Sequence, residues 1–354
     1  MIERLSEEVT TPIAHGFRQL PSVTVTGYNA ELRDGDGFLG DKASNSAFRA
    51  ILDEWRDRLK QVGDDPLGEK PTAELSKKKL DKVLVEGEPE AAGVIHGAIE
   101  QFATDLTKVI SKFCQLKTWR STERIVIGGG LRASRVGELV IGRAAVLLKS
   151  AGRTVQLDPI HHHPDAGGLI GAVHLVPAWM LEGHEGVVAV DIGGSNIRAG
   201  IVKLNLKKNG DLSGSAVHES EIWRYADEKP TRDAAVAKIG EMLKKLVRVA
   251  EKDELKLAPF VGIACPGIIA PDGHIERGGQ NLPGNWESSR LNLPDRVREL
   301  LPKIGKHETT VVMHNDAVVQ GLSELPFIRE VEHWGVLTIG TGLGNATFTS
   351  RRPR

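Results

Sequence analysis

The sequence predicts an α/β protein with two domains. The chain has 354 residues, and single hydrophobic cores stop growing at about 250–300 residues. From residue 123 onwards, short β-branched segments alternate with amphipathic segments, a pattern typical of α/β folds. Two glycine-rich loops, at 192–196 and 340–344, each lie between two predicted strands. Two similar loops suit one ligand held between two domains.

The first part of the chain is predicted to be mainly helical. An alternating strand at 22–28 leads into a Gly/Asp-rich loop at 34–40. Apolar residues at helical spacing then predict helices. These helices cover 47–59 and 91–113, and a charged segment at 73–85 lies between them in a region predicted to be mainly helical. An α/β unit follows, with strands at 124–127 and 154–157 and helices at 134–149 and 165–174.

A second α/β unit is predicted from residue 187 onwards, after a connector at 176–186. Glycine-rich loops fill 266–288, and the hydrophobic periodicities distinguish strands from helices elsewhere. The predicted helices cover 233–251 and 316–323. The predicted strands cover 187–191, 197–204, 219–223, 259–265, 310–314, 335–340 and 345–349.

Composition excludes several classes of protein. The net charge is −1, so no basic field indicates nucleic-acid binding. No apolar run approaches the ~20 residues of a membrane helix, and the N-terminus has no apolar signal core. We therefore expect a cytoplasmic protein with no nucleic-acid or membrane partner. Two cysteines, Cys114 and Cys265, exclude a disulfide framework and a four-cysteine zinc site.

The first glycine loop follows a strand that ends at Asp191. Because another strand begins almost at once, the loop is a hairpin, which excludes the dinucleotide and Walker loops that precede helices. Gly193 and Gly194 let the backbone approach an anion, and Ser195 and Asn196 add neutral hydrogen-bonding groups. Asp191 suits Mg²⁺ binding through water. An ordinary hairpin turn is the alternative.

Two further glycine-rich segments could also contact a phosphate or a nucleotide through their backbone. Gly340, Thr341 and Gly342 lie between two strands and would contact phosphates, unless they form only a glycine hairpin. Gly129 and Gly130 follow a strand and precede a helix, where a ribose or a flat ring could lie on the backbone. Helix-start packing is the alternative for that pair.

Two polar segments are candidates for acceptor binding and catalysis. Asp316, at a strand-to-helix junction after Asn315, could take a proton from a hydroxyl during phosphoryl transfer, or could cap the helix. The loop at 281–286 offers Asn281 for hydroxyl groups and Trp286 as a pocket wall, or is a surface turn with a packed Trp. Three consecutive histidines, 161–163, alternate in direction along a strand, so no metal site is expected there.

Five motifs together resemble the ROK family of sugar kinases, within the actin-like and hexokinase-like ATPase superfamily. They are VVAVDIGGSNIRAGIV (187–202), GIACPGII (262–269), NLPGNW (281–286), MHNDAVVQGLSE (313–324) and LTIGTGLGN (337–345). The resemblance implies an ATP- and Mg²⁺-dependent kinase of a hexose or amino sugar, and a homodimer is compatible with it. Asp316 would be the catalytic base. The remaining roles would be sugar binding by Asn281, Pro283, Gly284, Asn315 and Asp316, phosphate binding by Gly193, Gly194, Gly340, Thr341 and Gly342, and adenosine contact by Gly129 and Gly130.

The motif order indicates a circular permutation. ERIVIGGGLRASR (123–135) and PDAGGLIGAVHL (164–175) resemble segments that follow the second glycine loop in that family, yet here they precede the first. One domain would then comprise 186–334, and the other 1–175 plus 335–354. The strands at 335–340, 345–349 and 22–28 should be neighbours, and the two chain termini should lie close together.

Two features of the family are missing from the sequence. Its zinc-binding cluster needs more cysteines than the two present. Its Glu-x-Gly-His sugar clamp has no clear counterpart, although Glu31 or His15 could substitute. A sugar or nucleotide sensor with weak or no turnover is therefore the main alternative, and a chaperone-like ATPase is a weaker one.

Overall fold

The computed structural model describes residues 13–35 and 37–351. The β-strands in this part of the chain are β1 (Val23–Tyr28), β2 (Arg33–Asp34), β3 (Gly37–Phe38), β4 (Arg124–Gly128), β5 (Gln156–Pro159), β6 (Gly186–Ile192), β7 (Ile197–Lys203), β8 (Ala216–Trp223), β9 (Leu257–Cys265), β10 (Ile268–Ile269), β11 (Ile275–Arg277), β12 (Lys303–Ile304), β13 (His307–Glu308), β14 (Thr310–Asn315), β15 (His333–Ile339) and β16 (Leu343–Ser350). The α-helices are α1 (Asn45–Lys60), α2 (Lys77–Glu86), α3 (Pro89–Phe113), α4 (Arg135–Ser150), α5 (Pro164–Gly171), α6 (Tyr225–Glu228), α7 (Arg232–Lys252), α8 (Leu293–Leu300) and α9 (Asp316–Leu322).

Two five-stranded sheets have the same strand order and directions. Sheet I runs β8-β7-β6-β9-β14, and sheet II runs β1-β16-β15-β4-β5. In each sheet the central strand and the two on one side of it are parallel, whereas the strand on its other side is antiparallel to both of its neighbours. These two mixed sheets, each with its own helices, confirm the predicted α/β fold class.

Strand β1 closes sheet II beside the last strand of the chain. Val23 pairs with Ser350, and the Arg351 amide donates a hydrogen bond to the Ser22 carbonyl at 3.0 Å. The strands predicted at 335–340, 345–349 and 22–28 are therefore consecutive neighbours in one antiparallel meander. Residue 351 therefore lies beside residue 22, whereas the first described residues continue to β14 of sheet I, where the Gly16 amide donates to the Met313 carbonyl at 2.9 Å.

Helices cover the sheets in layers, because each helix buries one apolar stripe. Sheet II packs on α1, α3 and α4, and sheet I packs on α7 and α8. The short helices α5 and α9 contribute Leu169, Val319 and Leu322 to a core between the two sheets. The cleft described below therefore lies on a well-packed base.

Several short elements were absent from the prediction. The loop predicted at 266–288 contains the hairpin β10–β11, and α8 was missed. Helix α8 carries a clear start signal, because the Asn292 side chain accepts a hydrogen bond from the Asp295 amide and Pro294 lies in the first turn. None of the described helices is both long and apolar enough to cross a membrane.

Candidate active site

A cleft of about 530 Å³ opens between the two sheets. Both glycine loops line it, together with Asp191 and Asp316. The two loops face each other, since a Cβ placed on Gly194 would lie 3.7 Å from the Thr341 side chain. The residues predicted for phosphate or nucleotide binding that line the cleft are Asp191, Gly193, Gly194, Ser195, Asn196, Gly340, Thr341, Gly342, Gly129 and Gly130.

The first loop is held by few bonds. The Gly193 amide donates to the Asn196 carbonyl at 2.8 Å, and the Tyr225 hydroxyl donates to the Gly193 carbonyl at 2.6 Å. A side chain on Gly193 would meet nothing closer than 3.5 Å. The two glycines therefore leave open space in front of the backbone, as an incoming anion requires.

The glycines of sheet II have a stricter steric role. Gly129 has φ = +82°, and a Cβ there would lie 2.4 Å from the Ile339 carbonyl oxygen, so this position requires glycine. The Gly130 carbonyl accepts a hydrogen bond from the Lys77 ammonium group. The Gly340 carbonyl accepts from the Asn45 amide at 2.9 Å, which ties the second loop to the start of α1.

Asp191 is a buried carboxylate at the end of β6, 8% exposed. Its pKa is raised by burial, lowered by Arg198 and raised again by Asp165. The Arg198 guanidinium bridges Asp165 at 2.6 Å and Asp191 at 3.6 Å. Since Arg198 lies on β7 of sheet I and Asp165 lies in the first turn of α5, this ion pair joins two elements across the base of the cleft.

Asp316 faces the cleft from the first turn of α9 and is partly exposed to it. Burial, followed by the negative charge of Asp191, raises the pKa of its carboxyl from 3.8 to about 6. Capping of α9 falls mainly to Asn315, whose Oδ1 accepts hydrogen bonds from the Ala317 and Val318 amides at 3.0 and 3.2 Å. Asp316 Oδ1 accepts one from Ala317 at 2.9 Å, which leaves Oδ2 for other partners.

The structure places Asn315 away from the sugar-binding position predicted for it. Its side chain is 2% exposed and does not line the cleft. Both side-chain atoms have backbone partners, because Nδ2 donates to the Gly267 carbonyl at 3.0 Å while Oδ1 caps the helix. Asn315 therefore fixes the position of Asp316 from behind.

Only the first residue of the 281–286 loop reaches the cleft. Asn281 lines it, whereas Pro283 and Gly284, also predicted to bind sugar, do not. Trp286 is 1% exposed in the core of sheet I, and its indole donates to the Pro283 carbonyl at 2.8 Å. The prediction of Trp286 as a pocket wall is wrong, and the alternative of a packed Trp is correct.

The sequence analysis did not assign a role to several residues that line the cleft. Arg198 and Asp165 lie inside two of the motifs given above, at 187–202 and 164–175, and those motifs could have identified them. Further lining residues are brought to the cleft by contacts between distant parts of the chain. These further lining residues include Asn29, Asn45, Lys77, Gln280 and Gln320, and Glu31, considered above only as a possible clamp residue, lines the cleft with them.

The donor groups of the cleft fit a magnesium ion better than a structural metal. Within the described residues, no group of three or more His, Cys, Asp or Glu side chains could hold a metal. Mg²⁺ needs fewer protein ligands, because it keeps several waters and binds through one or two carboxylates and substrate phosphates. The buried Asp191 carboxylate, beside both glycine loops, meets that requirement.

Of the three consecutive histidines, His161 and His162 pack on Phe327, whereas His163 lines the cleft. His161 stacks on Phe327 with ring centroids 3.9 Å apart. Burial raises the pKa of both thiols, Cys114 and Cys265, which disfavours the reactive thiolate.

Comparison with known proteins relates about half of the chain to sugar kinases. The chain is 29% identical over 165 residues to a glucokinase from Thermotoga maritima, which covers 46% of this chain and 44% of that protein. It is 27% identical over 170 residues to a polyphosphate glucokinase from Mycobacterium leprae, which covers 47% and 44%. The chain thus spans less than half the length of these curated relatives. The predicted resemblance to sugar kinases is confirmed over this part.

Among solved structures, the chain overlaps a ROK hexokinase from Thermus thermophilus at 20% identity and a TM-score of 0.34. The overlap covers 48% of this chain and 49% of the other. No protein-family model matches the chain.

Proposed function

We propose that this chain is an ATP-dependent sugar kinase of the ROK type, with Asp316 as the general base. The observation that carries the proposal is the position of the Asp316 carboxylate, which faces the cleft that both glycine loops line. The similarity to two glucokinases supports the same class of reaction. The acceptor is proposed to be a hexose or an amino sugar.

The reaction needs one proton transfer and one phosphoryl transfer. Asp316 accepts the proton of a sugar hydroxyl as that oxygen forms a bond to the γ-phosphorus of the donor. The bond from the γ-phosphorus to the bridging oxygen breaks, and ADP leaves with the electron pair. A pKa of about 6 keeps the carboxylate mostly ionised at neutral pH and still basic enough to assist.

Positioning and charge neutralisation supply most of the catalysis in such a transfer. Backbone amides of the loops at 193–196 and 340–342 are proposed to hold the phosphates. Mg²⁺, bound through water to Asp191, would neutralise phosphate charge. Arg198 orients Asp191 through the ion pair described above.

A second cavity supports a nucleotide as the phosphate donor. It has a volume of about 200 Å³ and shares Asn45 and Lys77 with the cleft. Its walls include Phe48, Leu80 and Leu131, which suit a flat nucleobase better than a polyphosphate chain. The cleft itself carries more carboxylates than cations, a poor environment for a long polyanion without magnesium.

The strand order supports the proposed permutation and domain division. Sheet I is continuous in sequence, whereas sheet II combines strands from both ends of the described chain. We propose one domain at 186–334 and another formed by 1–175 with 335–354. Strands β6 and β15 are the central strands of their sheets. Without the proposed permutation, each of them would be the first strand of its domain.

The decisive experiment measures ADP release with a panel of hexoses and amino sugars, using Asp316→Asn as the matched control. We expect sugar-dependent ADP from the wild type and a loss of several orders of magnitude in the variant. Absence of sugar-dependent ADP, combined with sugar binding by calorimetry, would support the sensor alternative. Turnover with polyphosphate but not with ATP would refute the nucleotide donor.

A further inference from the structure

Helix α6 lies directly behind the first glycine loop. This single turn follows β8, the edge strand of sheet I. Its Tyr225 hydroxyl donates to the Gly193 carbonyl at 2.6 Å, and its Ala226 amide donates to the Ser195 carbonyl at 3.2 Å. Tyr225 is 3% exposed and does not line the cleft. Helix α6 therefore supports the loop from the side opposite the space left for a ligand.

The same hydroxyl group reaches the loop at 281–286. The Asn281 carbonyl oxygen lies 3.3 Å from the Tyr225 hydroxyl, so one proton is shared between two acceptors, of which Gly193 is the closer. Asn281 is the residue of that loop that lines the cleft. Within the part of the chain that the structure describes, no other hydrogen bond joins 192–196 to 279–287. A single buried hydroxyl group thus ties the two loops together.

The bond to Gly193 also sets the direction of a backbone amide. The peptide between Gly193 and Gly194 is trans, so its carbonyl and its N–H point to opposite sides. Because the carbonyl points towards Tyr225, the Gly194 N–H points away from it, towards the cleft that Gly194 lines. Among the described residues, no hydrogen bond uses this N–H. It is therefore free to meet an anion.

A hydroxyl group that only filled a space in the core would need one acceptor. Tyr225 has two, and they belong to the loops proposed to hold the phosphates and the sugar. Burial raises the pKa of the Tyr225 phenol above its ordinary value, so the group remains a donor at neutral pH. Phosphoryl transfer requires the attacking oxygen and the phosphorus to be held about 3–3.5 Å apart. The relative position of these two loops therefore affects the reaction directly.

We propose that Tyr225 is a positioning residue that couples the two loops, so that the nucleotide and the sugar strengthen each other's binding. The inference rests on the proposed kinase function. A ligand that orders one loop also orders the other through the shared hydroxyl group, and the second ligand then meets a loop that is already in place. By linkage, the factor by which the sugar tightens nucleotide binding equals the factor by which the nucleotide tightens sugar binding.

The test measures this factor by calorimetry. The probe is AMP-PNP, a non-hydrolysable ATP analogue, with Mg²⁺, titrated with and without the sugar that has the highest kcat/KM in the ADP-release panel. In the wild type we expect the sugar to lower the Kd of AMP-PNP about fivefold or more. Tyr225→Phe should bring this factor close to one, while AMP-PNP alone should bind only about twofold to tenfold more weakly.

Tyr28→Phe is the matched control. It removes a hydroxyl group that bonds to the Ile269 backbone at 3.4 Å, and it should keep the wild-type factor. Hydrogen exchange in the wild type is a second measurement, which does not depend on a folded variant. AMP-PNP alone should slow amide exchange in 281–286, and the sugar alone should slow it in 193–196.

Three results would overturn this inference and leave the kinase function standing. They are a factor that is one in the wild type or unchanged in Tyr225→Phe, an equal loss of the factor in Tyr28→Phe, and slower exchange confined to the loop that each ligand contacts. A wild type without sugar-dependent ADP release would overturn the proposed function, and the inference with it.

Discussion

Replacement of Asp316 by Asn is expected to remove activity and increase stability together. The carboxylate has a pKa of about 6 in the folded protein and an ordinary value of 3.8, a difference of about two units. Such a difference corresponds to about 3 kcal/mol of unfavourable ionisation in the folded state at neutral pH. Because the side chain is partly exposed to the cleft, solvent screens part of this cost, and we expect a gain of about 1–2 kcal/mol. Asn is isosteric and can still accept from the Ala317 amide.

The stability gained by Asp316→Asn depends on pH because the pKa of the Asp316 carboxyl is raised, not lowered, in the folded protein. Above about pH 6 the wild-type carboxylate is ionised in both states, so the whole penalty is present. As the pH falls towards 3.8 the folded state takes up its proton first, and below that value the penalty vanishes. Thermal unfolding of both proteins at pH 7.5 and pH 4 is the assay. The midpoint should rise by roughly 2–5 °C at the higher pH only.

A matched control is Asp64→Asn, at an exposed loop position, which should change the midpoint little at either pH. Two results would refute the reasoning. An Asp316→Asn variant no more stable than wild type at pH 7.5 would show that ionisation of this carboxyl carries no cost. A gain of equal size at both pH values would show that packing, rather than charge, is responsible.

Three other predictions concern catalysis and topology. If Asp316 is the general base as proposed, kcat/KM should fall tenfold per pH unit below about pH 6, because the base must be ionised. A fall beginning only near 3.8 would contradict the raised pKa. Gly168→Ala should lower kcat and weaken the dependence of the rate on Mg²⁺, because the new Cβ would lie 2.6 Å from the Asp191 Cγ. Gly142→Ala is the control for kinetics and circular dichroism, since its Cβ would meet nothing within 4 Å. A rearranged chain that begins at residue 186, with its two old ends joined by a long flexible linker, should fold and keep activity, because β1 already pairs with β16 at one sheet edge. A rearranged protein that is unfolded by circular dichroism would argue against the proposed permutation.

The sequence predicted features whose chemistry lies in one short segment. The two glycine loops and Asp316 are such features, because strand periodicity on either side fixes where their backbone turns. A role that either of two adjacent polar residues could take was harder to assign from sequence. Asn315 and Asp316 are adjacent and both polar, and only the packed structure shows that Asn315 caps α9 while Asp316 faces the cleft.

The remaining site residues depend on pairings across long stretches of chain. Glu31 reaches the cleft because β1 pairs with β16 and because Asn345 holds Ala30. Arg198 matters because α5, an element of another segment, brings Asp165 within 2.6 Å. The prediction for Trp286 failed because an aromatic residue in a polar loop can turn either outwards or into the core. Local pattern does not distinguish these two directions.

The strand order of sheet II imposes an order of events during synthesis. Sheet I is assembled from one continuous segment and can fold as soon as β14 has left the ribosome. Strand β4 must wait for its central neighbour β15, and β1 must wait for β16, both supplied by the last residues of the described chain. Until then, the helical layer of α1, α3 and α4 covers one face of an unfinished sheet with unpaired strand edges, which are sites of aggregation. The nascent protein is therefore expected to depend on chaperones for its first half longer than for its second.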